Sequence, residues 1–148
     1  MHISDVHIDL FYTVGAAMNC SEPVCCRSNV TLQLEHKDAW NRILNGQHLE
    51  VKEPTEGPAN YWGSVAYCDL PFQTFQLFLE EVKKMNDLDM IIWTGDNTPH
   101  DVWQQSQTYN LNFTVIESER ILKATKARIL PAMGNHESFP VNVYDYQG

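Results

Sequence analysis

The sequence contains no long apolar run: none of its hydrophobic stretches approaches the roughly 18 residues that a membrane-spanning helix needs. Positive charge is also scarce, with 10 Lys and Arg against 19 Asp and Glu and a net charge of -9. General binding to nucleic acid requires a basic surface, so this balance argues against it. A single phosphate held by a metal ion is compatible with it, because the ion supplies the positive charge locally. We therefore expect no transmembrane segment and no nucleic-acid partner.

The sequence also lacks paired Cys-x-x-Cys motifs, which argues against a zinc–thiolate site. Its four cysteines are Cys20, Cys25, Cys26 and Cys68. A bond between the adjacent Cys25 and Cys26 is strained, because neighbouring Cα atoms lie about 3.8 Å apart, below the usual disulfide range. Two pairings therefore stay open: Cys20–Cys25 with Cys26–Cys68, or Cys20–Cys26 with Cys25–Cys68.

Three Asn-x-Ser/Thr triplets, which are potential glycosylation sites, begin at Asn19, Asn29 and Asn112. Together with the even number of cysteines, they favour an oxidising compartment of the secretory route. No leader precedes the opening residues MHISD, which already have a strand-like pattern. We therefore expect the chain to be a piece of a longer polypeptide.

The first half of the chain shows little regular structure. With 148 residues, of which 43% are hydrophobic, the chain can form one domain or part of a larger one. Alternation in MHISDVHI predicts a strand over residues 1–8. Residues 13–70 contain the cysteines and no sustained periodicity, so we interpret them as an insertion. Within it, KDAWNRILNG predicts one short helix closed by Gly46, and residues 53–60 predict a loop.

The second half alternates helix and strand patterns. Helical spacing after a capping Asp69 predicts a helix with this apolar face: Phe72, Phe75, Leu79, Val82 and Met85. A second helix is predicted over residues 110–127, with these residues on its polar stripe: Asn112, Glu119, Lys123 and Lys126. The apolar runs Met90–Trp93 and Ile129–Met133 predict buried parallel strands. The resulting βαβαβ series predicts an α/β fold with a parallel sheet.

Polar residues follow each of the three predicted strands of this sheet: Asp5-Val6-His7, Gly95-Asp96-Asn97 and Gly134-Asn135-His136. Singly, each motif is more often a turn or a loop cap. Their recurrence matters because the carboxyl ends of parallel strands meet at one edge of a sheet. Asp5 and His7 are two residues apart, so in an extended strand both side chains would face the same way.

The side chains in these motifs suit a divalent metal. Carboxylate, imidazole and amide oxygen are donors that Zn²⁺ and similar ions accept. A carboxylate such as Asp96 can bridge two ions about 3.5–4 Å apart. The sequence therefore predicts a metal site at this edge of the sheet.

The order D-x-H, then G-D, then G-N-H-E after successive strands resembles the calcineurin-like metallophosphoesterases. The segments NCSEPVCCR, YWG, YCDLP, WTGDNTPHDVW and GNHESFPVNVY further resemble the acid sphingomyelinase family. This resemblance implies that residues 1–148 form the N-terminal half of a four-layer αββα domain, with a parallel-sheet half and a disulfide-stapled insertion. It also implies the disulfides Cys20–Cys25 and Cys26–Cys68 and a secreted or lysosomal location.

The same resemblance implies roles for individual residues in a site with two Zn²⁺ ions. Asp5 and His7 would bind the first ion, Asp96 would bridge both ions, and Asn135 would bind the second. The expected catalytic residues are two histidines: His136, as general acid for the leaving alcohol, and His100, near the same pocket.

The family's site contains further ligands that this chain does not supply. A later histidine and a Gly-His-x-His motif complete both coordination spheres in the family, whereas no histidine follows His136 here. We therefore expect the chain to carry half of a dinuclear site and to be inactive alone, with the remaining half in the same or another chain. Two hypotheses follow. One is zinc-dependent hydrolysis of sphingomyelin or a related phosphodiester or nucleotide. The other is a non-catalytic structural or assembly module.

Overall fold

The structure is a computed structural model that describes residues 1–28, 36–50 and 57–145. The chain divides into two compact units. The sheet unit comprises Met1–His7 and Gln76–Gly148, and the disulfide unit comprises Ile8–Phe75. The predicted insertion, residues 13–70, lies within the disulfide unit.

The helices and strands follow one another along the chain in this order: β1 (His2–Ile3), β2 (Ile8–Asp9), β3 (Thr13–Val14), α1 (His36–Leu44), β4 (Leu49–Glu50), β5 (Leu70–Pro71), α2 (Phe72–Val82), β6 (Met90–Trp93), α3 (Gln107–Ala124) and β7 (Arg128–Pro131). A short 3-10 helix, Val102–Gln104, precedes α3. No helix in the described ranges combines the length and the apolar character needed to cross a bilayer.

The sheet unit contains a three-stranded parallel sheet in the order β1-β6-β7. Ile3 pairs with Trp93, which pairs with Pro131 on the other side, so all three strands end at the same level. The parallel sheet and the α/β class predicted from the sequence are confirmed.

The first predicted strand is wrong in its extent. It was expected over residues 1–8, but β1 ends at Ile3 because the backbone turns into the left-handed region at Asp5 (φ 53°) and again at His7 (φ 39°). Ile8–Asp9 forms a separate strand that pairs with β5. The last strand is also shifted: β7 covers Arg128–Pro131 rather than 129–133.

The sheet has one buried face and one exposed face among the described residues. The exposed fractions of Ile91 and Trp93 are 0% and 3%, so both are buried. Those of Met90 and Ile92 are 39% and 43%. Leu130 on β7 is exposed at 46%. The prediction that Met90–Trp93 is buried on both faces is therefore wrong for this part of the molecule, because side chains alternate along a strand and only one of the two sets is covered.

Helix α2 begins at Phe72, directly after β5, so Asp69 lies three residues before its first residue. Four of the five predicted apolar positions on this helix are buried: Phe72, Phe75, Leu79 and Val82. Met85 is 46% exposed, because the helix ends at Val82.

Helix α3 begins three residues earlier than predicted. The Ser106 side chain caps its first turn by accepting a hydrogen bond from the backbone N–H of Tyr109. Three residues of its predicted polar stripe are exposed: Asn112, Glu119 and Lys123. Lys126, the fourth, is exposed too but lies beyond the helix, which ends at Ala124 rather than at residue 127.

The disulfide unit contains two bonds, Cys20–Cys25 and Cys26–Cys68, which is the pairing that the resemblance implied. Helix α1 ends at Leu44 and is closed by Gly46 (φ 75°), as predicted, with the N–H of Gln47 donating to the carbonyl of Arg42. Of the predicted loop 53–60, residues 53–56 lie outside the described residues.

The disulfide unit also has regular structure that the sequence did not predict. Two pairs of short parallel strands, β2–β5 and β3–β4, cross it. Arg27 makes a bidentate ion pair with Asp9 at 2.8 and 2.9 Å, and both side chains are nearly inaccessible to solvent. An ion pair with this geometry offsets part of the cost of removing two charges from water.

Candidate metal centre

The loop after β1 is fastened to the loop after β6 by the backbone. The N–H of Asp5 donates to the carbonyl of Gly95 at 3.2 Å, and that of His7 donates to the carbonyl of Asp96 at 3.0 Å. Both residues are in the left-handed region. Asp5 and His7 are thus brought together by two turns, not by the strand alternation that we predicted.

Three potential ligands converge at this point. One oxygen each of Asp5 and Asp96 and one ring nitrogen of His7 lie within 4.8 Å of one another. Asp5 is exposed, whereas His7 and Asp96 are half-buried. Two carboxylates at such a distance repel each other unless a cation neutralises them, and this favours cation binding.

The hydrogen bond of His7 defines which ring nitrogen can bind a metal. Its Nδ1 lies 2.7 Å from the carbonyl oxygen of Thr98. Because a carbonyl only accepts, Nδ1 carries the proton and Nε2 keeps its lone pair. A histidine fixed in this way through its other nitrogen is the usual arrangement for a metal ligand.

Three histidines form a second cluster that shares His7 with the first. The ring centroid of His7 lies 4.1 Å from that of His100 and 4.8 Å from that of His136, and the centroids of His100 and His136 are 4.7 Å apart. One ring nitrogen from each lies within 4.8 Å of the others. His100 is exposed and His136 is buried, so the cluster extends from the surface inward.

The backbone of His136 is held from three directions. Its N–H donates to Oδ1 of Asp96 at 2.8 Å. Its carbonyl accepts from the hydroxyl of Thr98 at 2.9 Å and from the side-chain amide of Asn110 at 3.0 Å. These contacts fix the backbone from which the His136 imidazole projects, beside the Asp96 carboxylate.

Asn135 occupies the loop between β7 and His136, and its side chain is exposed. Its backbone carbonyl accepts hydrogen bonds from the hydroxyl of Ser138 at 3.0 Å and from the N–H of Asn142 at 3.1 Å. The loop is thus closed on itself, with Asn135 at its outer side.

Sequence reasoning assigned no role to Glu137, although this residue completes the G-N-H-E motif. Glu137 is buried (8% exposed), and its carboxylate accepts hydrogen bonds from the backbone N–H groups of Asp96, Asn97 and Gly134 at 3.0, 2.8 and 2.6 Å. The motif was the available signal, but spacing alone does not indicate that this side chain turns inward.

Two glycines allow this close approach of the loops after β6 and β7. Gly95 has a φ of 81°, and a methyl group there would overlap the backbone nitrogen of Gly134 and Oε2 of Glu137. A methyl group on Gly134 would overlap the carboxylate of Asp96. Both positions therefore require glycine.

A second acidic side chain, Glu117 on α3, is completely buried. Neither of its carboxyl oxygens has a hydrogen-bond partner among the described residues. Loss of hydration, and secondly the charge of Glu137, raise the pKa of Glu117 well above its usual value. The sequence pattern does not indicate this burial, because the other acidic residue of α3, Glu119, is exposed.

The three predicted glycosylation positions differ in what can be said of them. Asn19 and Asn112 are exposed, as a glycan acceptor must be. Asn29 lies outside the described residues.

Comparison with known proteins identifies the family of the chain. The model of the calcineurin-like phosphoesterase family matches residues 1–148. The chain is 35% identical to sphingomyelin phosphodiesterase A of Dictyostelium discoideum, 33% to sphingomyelin phosphodiesterase 1 of Caenorhabditis elegans and 32% to human sphingomyelin phosphodiesterase, over 97% of its own length each time. It spans 20–22% of the length of these relatives. The chain belongs to the calcineurin-like phosphoesterase family.

Proposed function

We propose that this chain carries half of a dinuclear zinc site in an enzyme that hydrolyses phosphodiesters, with sphingomyelin as the first candidate substrate. The observation that carries the proposal is the convergence of ligand atoms from Asp5, His7 and Asp96 within 4.8 Å, beside the cluster of three histidines. The similarity to the three sphingomyelin phosphodiesterases supports the choice of substrate.

The donor set fits zinc. A mixed set of imidazole nitrogen and carboxylate oxygen suits Zn²⁺ better than it suits Mg²⁺ or Ca²⁺, because these two ions favour oxygen ligands alone. Asp5, His7, Asp96 and Asn135 would hold two ions, with Asp96 shared between them. When bound, such ions neutralise the charge of a phosphate and acidify a water molecule.

The histidines would then handle protons and substrate. The backbone N–H of His136 donates to Asp96, which keeps its imidazole close to the proposed ions, where it would protonate the leaving alcohol as a general acid. His100 is exposed and 4.7 Å from the His136 ring, a position from which it would contact the phosphate or the leaving group.

We further propose that the rest of the catalytic domain, in the same or another chain, supplies the missing ligands. The chain covers about a fifth of its relatives, which leaves room for them. The exposed apolar side chains of Met90, Ile92 and Leu130 on one face of the sheet support this, because exposed apolar faces on a sheet mark contact surfaces.

Metal analysis of the complete polypeptide tests the proposed site. We expect about two zinc ions per chain. Asp96→Asn should lose at least one of them, because an amide has a single acceptor oxygen and no charge. Asp87→Asn, which changes an exposed residue after α2, is the matched control and should retain both. Failure of the unmodified protein to bind metal would instead favour the non-catalytic assembly module.

Substrate specificity requires a separate comparison. Hydrolysis of sphingomyelin in mixed micelles should be measured beside hydrolysis of a nucleotide phosphodiester, with His136→Ala as the variant expected to lose turnover while keeping metal. Preference for the nucleotide would retain the phosphodiesterase and reject the lipid substrate.

A secretory location follows from the same proposal. The two disulfides need an oxidising compartment, and the exposed Asn19 and Asn112 are accessible to glycosylation. Enzymatic removal of N-glycans from the secreted or lysosomal protein should lower its apparent mass, whereas Asn112→Gln should remove part of that shift.

A further inference from the structure

We propose that Glu137 is the positioning residue that holds two metal-ligand loops, residues 94–98 and 133–136, in the conformation in which they bind metal together. The inference rests on the proposed metal site. Glu137 itself belongs to neither group of converging ligand atoms. Its effect on metal would therefore act through Asp96 and the loop that carries Asn135.

The hydrogen bonds of Glu137 connect the two loops. Oε2 accepts from the N–H of Asp96, which follows β6, and from that of Gly134, which follows β7. Oε1 accepts from the N–H of Asn97. Hydrogen bonds to a carboxylate are about twice as strong as those between neutral groups, and Glu137 is buried, so water competes little for them.

These bonds also explain how Asp96 keeps an unfavourable backbone conformation. Asp96 has a φ of 59°, in the left-handed region that is unfavourable for a residue with a side chain. Such a conformation persists only where the surroundings enforce it. The Glu137 oxygens accept hydrogen bonds from the N–H of Asp96 itself and from that of the next residue, Asn97, so the peptide groups before and after the Asp96 Cα are both held. The strained turn aims the Asp96 carboxylate towards Asp5 and His7.

A carboxylate is required here, because three donors converge on one side chain. Glutamine has the same size but only one acceptor oxygen, and its amide nitrogen donates. In Glu137→Gln at least one of the three backbone N–H groups would face another donor. A side chain that merely filled space would tolerate this change.

Hydrogen–deuterium exchange of the complete, metal-free polypeptide tests the inference directly. The amides of Asp96, Asn97 and Gly134 should be protected in the unmodified protein. In Glu137→Gln, peptides covering residues 94–98 and 133–137 should exchange at least 10-fold faster, with unchanged protection in α3. Glu119→Gln, the same change at an exposed position of α3, is the control and should leave both peptides unchanged.

Zinc affinity, measured by competition with a chelator at a temperature at which the variant is folded, provides the second readout. Because loss of a partner behind a metal ligand typically weakens binding 10–100-fold, we expect that range for Glu137→Gln. Equal affinity and equal exchange in Glu137→Gln would overturn the inference. If the variant does not fold, the unmodified protein decides: protection of the three amides would support the inference, and fast exchange would overturn it. A protein that binds no zinc would refute the proposed function, while the exchange data would still decide the role of Glu137.

Discussion

Replacement of Glu117 by glutamine should remove a large part of the pH dependence of folding stability. Glu117 is completely buried, and its oxygens have no hydrogen-bond partner among the described residues. Burial, and then the charge of Glu137, raise its pKa well above the usual value of 4.5. The native state therefore keeps a proton on Glu117 at a pH at which the unfolded chain has released it.

The direction of the effect follows from proton linkage. Where the native state binds more protons than the unfolded state, stability falls as the pH rises. The stability contributed by the protonated carboxyl is fully present below pH 4.5, the unfolded pKa, and is lost progressively as the pH rises towards the folded pKa. For one proton, the loss is roughly 1 kcal/mol for each pH unit in that window.

Urea unfolding of the complete polypeptide between pH 4.5 and pH 8 measures this loss. Glutamine is neutral throughout and nearly the same size, so Glu117→Gln should match the unmodified protein near pH 4.5. Relative to the unmodified protein, the stability of this variant should then increase by roughly 1 kcal/mol per pH unit up to the folded pKa of Glu117. The exposed Glu119→Gln on the same helix should give a curve parallel to that of the unmodified protein. Parallel curves for Glu117→Gln would refute the reasoning.

Three further predictions concern stability. Replacing Cys26 and Cys68 by alanine should lower the free energy of unfolding by about 4 kcal/mol, because their bond links residues 42 positions apart. Urea unfolding measures this loss, and a clearly smaller value would mean that the unfolded chain stays compact without the bond. Arg27→Met should lower the stability measured by thermal unfolding by roughly 3–5 kcal/mol, because buried Asp9 would lose the cation that faces it. Adding Asp9→Leu should recover most of this loss, and no recovery would contradict the ion-pair explanation. Gly95→Ala should cost more than about 1 kcal/mol and weaken zinc binding, since its φ is 81° and its methyl group would overlap the next loop; unchanged values would contradict the close approach.

Long segments with a clear period were predictable, because their local pattern and their tertiary role agree. The buried face of α2 followed from apolar spacing, and the position of the strand Met90–Trp93 followed from a continuous apolar run, although its burial on both faces did not. Segments of two residues, such as β3 and β4, were not predictable, because no period can be recognised over so short a length and the pairing partner is distant in the sequence.

The candidate site divides in the same way. The sequence by itself determined which donors are available and that they follow three successive strands: Asp5, His7, Asp96, Asn135 and His136. Their roles stay predictions, but their type and order were legible because they depend on chemistry and on the direction of parallel strands.

Only the tertiary structure decided how these donors meet. The left-handed turns at Asp5 and His7 depend on backbone hydrogen bonds to residues about 90 positions away. The inward turn of Glu137 depends on amides some 40 positions earlier, and the burial of Glu117 depends on what packs around α3. Contacts of this kind leave no local period in the sequence, because they are set by which backbone groups and charges the fold brings together.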